Sequence, residues 1–348
     1  MPVPQVPMRF LAIALALILA VPAHADETDP GLAFTIWLNN YRTGAESRGL
    51  KREWLDAALA GVRYVPRVVQ LDRGQPDDPT RQSRIGDYLA RQLGGDRISG
   101  GIARVPGNRA SLLAAATRHR VAPEIIMAIW GMETSYGRVT GGFDLPSALA
   151  TLAYDGRRAS LFTAELDAAV RIVGEGRASR EQMRGSWAGA LGQPQFLPSN
   201  YLKHGADGDG DGRIDLWASV PDTFMSIARY FADAGWVEGL NWGFAVGVPP
   251  GFDHAPIVNP RPPEQCTKPL SRHSYAYPAA RWRDWGFRPL NGVWPADTEA
   301  MALVEPDGPG GDAYLTTANY RVIMEYNCSN YYALSVALLG NALAPATR

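Results

Sequence analysis

Glu133 closes the run Pro123-Glu-Ile-Ile-Met-Ala-Ile-Trp-Gly-Met-Glu133. Pro123 suits the first turn of a helix, where its missing N–H costs nothing. In such a helix Ile125, Ile126, Ile129 and Glu133 share one face by i, i+3, i+4 spacing. A carboxyl held against apolar neighbours has its pKa raised and can stay protonated near neutrality. That is the property a general acid needs to protonate a departing glycosidic oxygen. Thr134-Ser-Tyr-Gly137 follows, small and turn-forming, leaving the carboxyl at a helix end facing a cleft. Taken by itself the residue equally fits a helix C-terminal Glu paired with Arg138, and Glu124 reads as a favourable charge at the helix start.

Two further stretches carry chemistry. Asp207-Gly-Asp-Gly-Asp-Gly-Arg-Ile-Asp215 sets carboxylates at positions 1, 3, 5 and 9 of a calcium-binding loop of the EF-hand kind. Gly212 stands at position 6, and Arg213 offers its carbonyl at position 7. Position 12, where such loops carry a bidentate Glu, is Ala218. The expectation is a structural Ca2+ site rather than a sensor, with a solvated acidic turn as the alternative. No organic cofactor is expected. Gly185-Ser-Trp-Ala-Gly-Ala-Leu-Gly192 is rich in small residues, which let a polymer approach the backbone closely.

Five segments in order resemble the membrane-bound lytic murein transglycosylase B family, glycoside hydrolase family 103. They are Ala122 to Gly137, Leu145 to Ala153, Arg184 to Ser199, Asp207 to Trp217 and Tyr326 to Leu334. The resemblance implies that Glu133 is the single catalytic acid/base. It implies that Ser186, Gln195 and Phe196 line sugar subsites: Ser186 and Gln195 orient the N-acetyl group, and Phe196 packs on a ring. Tyr326, Asn327 and Tyr332 match cleft positions; Tyr88 and Tyr230 align more loosely and equally suit the core. The family's loop has a late acidic ligand, which points to Asp222, here one residue further on, beside Asp207, Asp209, Asp211, Arg213 and Asp215. Leu197 and Pro194 depart from the family pattern.

These groups need a frame. Apolar residues recur at three- and four-residue spacing over 111–119, 123–133, 159–173, 221–234 and 331–343, which predicts helices. Shorter helical patterns lie at 32–38, 54–61 and 87–93. From 246 to about 318 Pro and Gly are frequent, and short apolar runs at 244–248, 300–304 and 314–316 predict strands. The expected organisation is a helical region over 26–110, a core over 111–245, a β-containing insertion over 246–318 and a closing segment over 319–348. With the resemblance, the fold class is α+β, mainly α, around a lysozyme-like catalytic core.

Arg9 precedes a dozen apolar residues ending in Pro22-Ala-His-Ala25, the pattern of a cleaved secretory signal over 1–25. An uncleaved anchor is the alternative, although the run is shorter than a bilayer span. No cysteine adjoins the cleavage point, so no lipid anchor is expected and the chain is placed in the periplasm. Cys266 and Cys328 can pair in that oxidising compartment, but spacing does not fix their geometry.

With 34 Lys+Arg against 35 Asp+Glu, the chain has no basic excess to hold nucleic acid. With 46% apolar and 20% charged residues it is a folded protein rather than a disordered tail. The expected partners are peptidoglycan glycan strands and proteins of wall synthesis or turnover. The expected activity is cleavage between N-acetylmuramic acid and N-acetylglucosamine with formation of a 1,6-anhydro end. A hydrolytic muramidase on the same fold and a non-catalytic wall-binding protein are the alternatives.

Overall fold

The computed structural model describes residues 30–75, 83–260 and 266–347. The expected signal segment, 1–25, lies outside the described residues. The first three helices are α1 (Pro30–Ser47), α2 (Arg52–Ala58) and α3 (Pro66–Arg73). Next come α4 (Ile85–Leu93), α5 (Arg97–His119) and α6 (Pro123–Thr134). The expected boundary at 110 falls inside α5. The turn signal Pro106-Gly107 sits on its exposed side, while Val105, Leu112 and Ala115 are buried, so packing overrides the local preference.

A short ribbon pairs β1 (Phe143–Asp144) with β2 (Arg184–Gly185). Between its strands run α7 (Leu145–Asp155) and α8 (Ala159–Gly174). Asp144 caps α7 by accepting from the Ser147 N–H, and Arg180 holds the same carboxylate through two hydrogen bonds of 2.6 and 2.9 Å. The chain continues through α9 (Pro198–His204) and α10 (Val220–Asp233).

The remaining elements form an antiparallel sheet and the closing helices. In chain order they are β3 (Gly243–Gly247), α11 (Thr267–Leu270), β4 (His273–Pro278), α12 (Ala279–Asp284), β5 (Arg288–Pro289), β6 (Ala300–Val304), β7 (Tyr314–Thr316), α13 (Ala318–Tyr326) and α14 (Asn330–Thr347). The sheet order is β4-β6-β7-β3-β5. The sheet therefore begins at Gly243, three residues before the expected boundary at 246.

Three apolar clusters hold the chain together. One unites α4, α5, α6, α10, α13 and α14; a second unites α1, α2, α3, α7, α8 and α9; a third fills one face of the sheet under Trp282 and Phe287. The sixth helix is the axis of the first. Every residue from Ile125 to Gly131 is buried, so α6 has no wet side for Glu133 to avoid. The helix ends in Ser135 and Tyr136, both left-handed, with the Tyr136 N–H returning 3.2 Å to the Trp130 carbonyl. Gly131 leaves room for the Tyr136 ring: a Cβ there would lie 2.6 Å from it. Among the described residues no helix is long and apolar enough to cross a membrane.

Candidate active site

Glu133 sits in the last turn of α6, half-buried, and four elements converge on it. From α14, the Tyr332 hydroxyl donates to Glu133 Oε1 at 2.5 Å. Burial pushes the Glu133 carboxyl up to about 7, against the opposing effect of that hydrogen bond. Among the described residues no cation and no second carboxylate contributes to the shift. The pairing with Arg138 is not formed: Arg138 Nε donates to the Ser135 carbonyl instead, at 3.3 Å. Burial raises the phenols of Tyr88 on α4, Tyr326 on α13 and Tyr332, and the Glu133 charge adds to it in each, against the lowering effect of Arg97 and Arg91 on Tyr88. The result is a carboxyl that burial raises toward neutrality and that the Tyr332 hydroxyl holds. It is equipped to give a proton and take one back.

The segment 192–196 forms the facing turn. Gln195 has a left-handed backbone, φ 52°, and its Nε2 donates to the carbonyls of Gly192 at 2.8 Å and Thr140 at 3.1 Å. Its side-chain oxygen has no partner among the described residues and can accept from a substrate N–H. Tyr326 fastens the turn by donating to the Pro194 carbonyl at 2.5 Å. Ser186 Oγ accepts from the Ala190 N–H at 3.0 Å, closing a turn while keeping its own proton to donate. Asn327 is exposed at the end of α13.

One expectation is corrected here. Phe196 is 1% exposed, with its ring against Tyr230 and Tyr326 at 5.8 and 5.9 Å. It is the floor beneath the tyrosines, not a ring offered to a sugar, because the apolar side chain gains more from the core than from the cleft. Tyr230 is half-buried, its hydroxyl donating to the Glu325 carbonyl at 2.7 Å. The glycines of 185–192 also serve the protein itself. A Cβ on Gly185 would lie 2.0 Å from the Ala190 carbonyl, and one on Gly192, φ 66°, 2.5 Å from the Leu216 carbonyl.

Three positioning residues escaped the sequence reading. Gln193 is buried; its side-chain oxygen accepts from Trp130 Nε1 at 2.8 Å, and its N–H donates to the Leu216 carbonyl at 2.7 Å. Thr134 Oγ1 donates to the Gln193 carbonyl at 2.9 Å and accepts from the Gly137 N–H. Arg97 covers the α6 terminus by donating to the Gly131 carbonyl at 2.7 Å. Only the rule that a buried amide needs partners could have flagged Gln193, and it would not have named them.

The acidic loop joins this frame through Leu216 and Trp217. Asp207, Asp209 and Asp211 bring carboxylate oxygens within 4.8 Å of one another, a donor set of hard oxygens that fits a calcium ion. Backbone N–H groups of Gly212 and Gly210 hold the Asp207 carboxyl below its usual range. Arg213 follows with its N–H on Asp211 at 2.8 Å. Asp215 and Asp222 stand outside the carboxylate cluster. Asp215 accepts from the N–H groups of Trp217 and Ala218, and buried Asp222 accepts from those of Gly208 and Asp215. In this geometry the two close the loop's backbone; burial raises the Asp222 carboxyl, consistent with a structural role. Cys266 and Cys328 form a disulfide with their Cα atoms 5.7 Å apart, tying the sheet region to the α13–α14 junction.

Residues 33–341 match the family model described as the transglycosylase SLT domain. The chain is 30% identical over 311 residues to membrane-bound lytic murein transglycosylase B of Escherichia coli K12, covering 85% of this chain and 79% of that one. Among solved structures it is similar to SltB3 of Pseudomonas aeruginosa in complex with NAG-anhNAM-pentapeptide. That match has a TM-score of 0.80 and 35% identity, and covers 91% of this chain and 81% of that one. It is also similar to the E. coli lytic transglycosylase Slt35 in complex with calcium, with a TM-score of 0.70 and 26% identity, covering 91% and 94%.

Proposed function

The chain belongs to the transglycosylase SLT domain family, and from that premise we propose that it is a lytic transglycosylase of peptidoglycan with Glu133 as its single acid/base. The observation that carries the residue assignment is the Glu133 carboxyl raised to about 7 by burial, with no second carboxylate acting on it. Glycosidases that work through two carboxylates keep them about 5–10 Å apart, whereas a lone acid/base relies on the substrate for its second group. The protonated Glu133 gives its proton to the oxygen bridging N-acetylmuramic acid to N-acetylglucosamine. As that bond breaks, the muramic acid N-acetyl group shields the cationic C1. Glu133, now a carboxylate, takes the proton of the muramic C6 hydroxyl, and the freed oxygen closes on C1. The products are an N-acetylglucosamine-ended chain and a 1,6-anhydromuramic end. No water is consumed, and Glu133 is again protonated.

The substrate reading draws support from the relatives, one of which was solved with an anhydromuramic fragment. Gln195 and Ser186 are assigned to the N-acetyl group, Asn327 to a polar contact with the sugar, and Tyr88, Tyr326 and Tyr332 to the walls around C1. A calcium ion on Asp207, Asp209 and Asp211, with the Arg213 carbonyl, would stiffen the loop that supports Gln193; a relative was solved with calcium. The leader pattern in 1–25 and the wall substrate agree with a periplasmic site of action. Purified murein sacculi digested with the protein are expected to release muropeptides lighter by one water than hydrolytic ones, and Glu133→Gln is expected to release none. Release of reducing muropeptides alone would make the enzyme a muramidase; equal release by the variant would remove Glu133 from the chemistry.

A further inference from the structure

Beside the Tyr230 ring lies a cavity of about 330 Å³, lined by Asn200, Lys203, His204, Tyr230, Asp233 and Glu325 among others. The C-terminal ends of three helices meet there: α9 ends at His204, α10 at Asp233 and α13 at Tyr326. Helix C-termini carry partial negative charge. The Asp233 and Glu325 carboxylates add to it. His204 is buried and holds Asp233 through Nδ1 at 2.8 Å; burial lowers its pKa, so the ring is a neutral prop rather than a charge. Arg229 approaches Asp233 at 3.7 Å. Neither Glu325 nor Lys203 forms an ion pair among the described residues. The cavity thus offers a negative pole and, on Lys203, a separate ammonium.

Tyr230, which lines the cavity, has its ring 4.9 Å from that of Tyr326, and the Tyr326 hydroxyl donates to the Pro194 carbonyl in the turn that carries Gln195. An extended peptide spans about 3.3–3.6 Å per residue, so a three-residue stem spans about 10 Å from its sugar.

We propose that this cavity receives an amino-acid centre bearing a free ammonium and a free carboxylate, as the diamino acid of a peptidoglycan stem does. Glu325 and the helix ends take the ammonium, and Lys203 takes the carboxylate. The assignment rests on the reading of peptidoglycan as the substrate. It makes the cavity a stem-peptide selector, separate from the glycan contacts around Glu133.

The test is calorimetric titration of the full chain carrying Glu133→Gln, which prevents turnover. Three probes are compared: a peptide-free NAG-NAM tetrasaccharide, the same glycan with a tripeptide ending in diaminopimelate, and that tripeptide with its distal carboxylate amidated. Each exposed ion pair is worth up to about a fivefold change in affinity, so the free centre should bind several-fold more tightly than the amidated one. Lys203→Ala should erase that difference. Glu325→Gln should weaken both peptide-bearing probes, and neither change should alter binding of the peptide-free glycan. Equal affinity for free and amidated stems, or equal losses on the peptide-free glycan, would overturn the assignment while leaving the glycan reading intact. If even the peptide-free glycan fails to bind, the substrate reading falls and the selector with it.

Discussion

At the scale of single residues the chemistry depends on two opposed influences on Glu133. Burial raises its carboxyl, and the Tyr332 hydroxyl, which stabilises the charged form, lowers it. Tyr332→Phe removes only the lowering influence. A hydrogen bond to a charged group is worth about 1.5–3 kcal/mol, or roughly one to two pKa units. The alkaline limb of kcat/KM, expected near pH 7 in the wild type, should therefore move up by about one unit in Tyr332→Phe. A limb that stays in place or moves down would mean that Tyr332 does not stabilise the carboxylate. The same burial has a cost in stability. A Glu whose folded pKa lies near 7 rather than 4.5 binds its proton more tightly when folded, so its stabilisation is complete below pH 4.5 and is lost as pH rises through about 7. Glu133→Gln escapes that loss. It should match the wild type at pH 4 and exceed it by about 1–3 kcal/mol at pH 8 in denaturant titrations. Identical curves at both pH values would contradict a buried, raised carboxyl.

At the scale of elements, the site is a chain of braces ending on α6. The acidic loop holds Leu216 and Trp217, Leu216 receives Gln193, and Gln193 grips both Trp130 and Thr134 one turn or less from Glu133. Calcium should stiffen the first link. The melting temperature should rise by about 2–5 °C in saturating calcium and return on chelation, and Asp207→Asn should abolish the response. Asp222→Asn, which leaves the three-carboxylate cluster intact, should keep a calcium response from a lower starting temperature. A melting temperature indifferent to calcium would remove the ion from the account. Much of α6 was legible beforehand, since Pro123, the isoleucine spacing and the small residues after Glu133 define its ends and bury its length. The braces were not. Trp130 and Gln193 are 63 residues apart, and no local pattern announces their hydrogen bond. Phe196 was misjudged for a related reason: a motif says which ring is present, but the three-dimensional packing decides whether it faces a ligand or the core. Strand β4 also went unseen, because His273-Ser-Tyr-Ala-Tyr-Pro278 is an edge strand with an irregular register and little buried alternation.

At the scale of the whole molecule, three apolar clusters place one acid where four elements meet. The Cys266–Cys328 bond fixes the sheet region beside the end of α13. The near-balance of 34 basic and 35 acidic residues gives no long-range pull on an anionic wall. In the proposed mechanism the substrate's own C6 hydroxyl, and not water, attacks C1. Digestion of sacculi in heavy-oxygen water, read by mass spectrometry, tests this most directly. The account predicts anhydromuropeptides that carry no label; reducing ends bearing one heavy oxygen would contradict it.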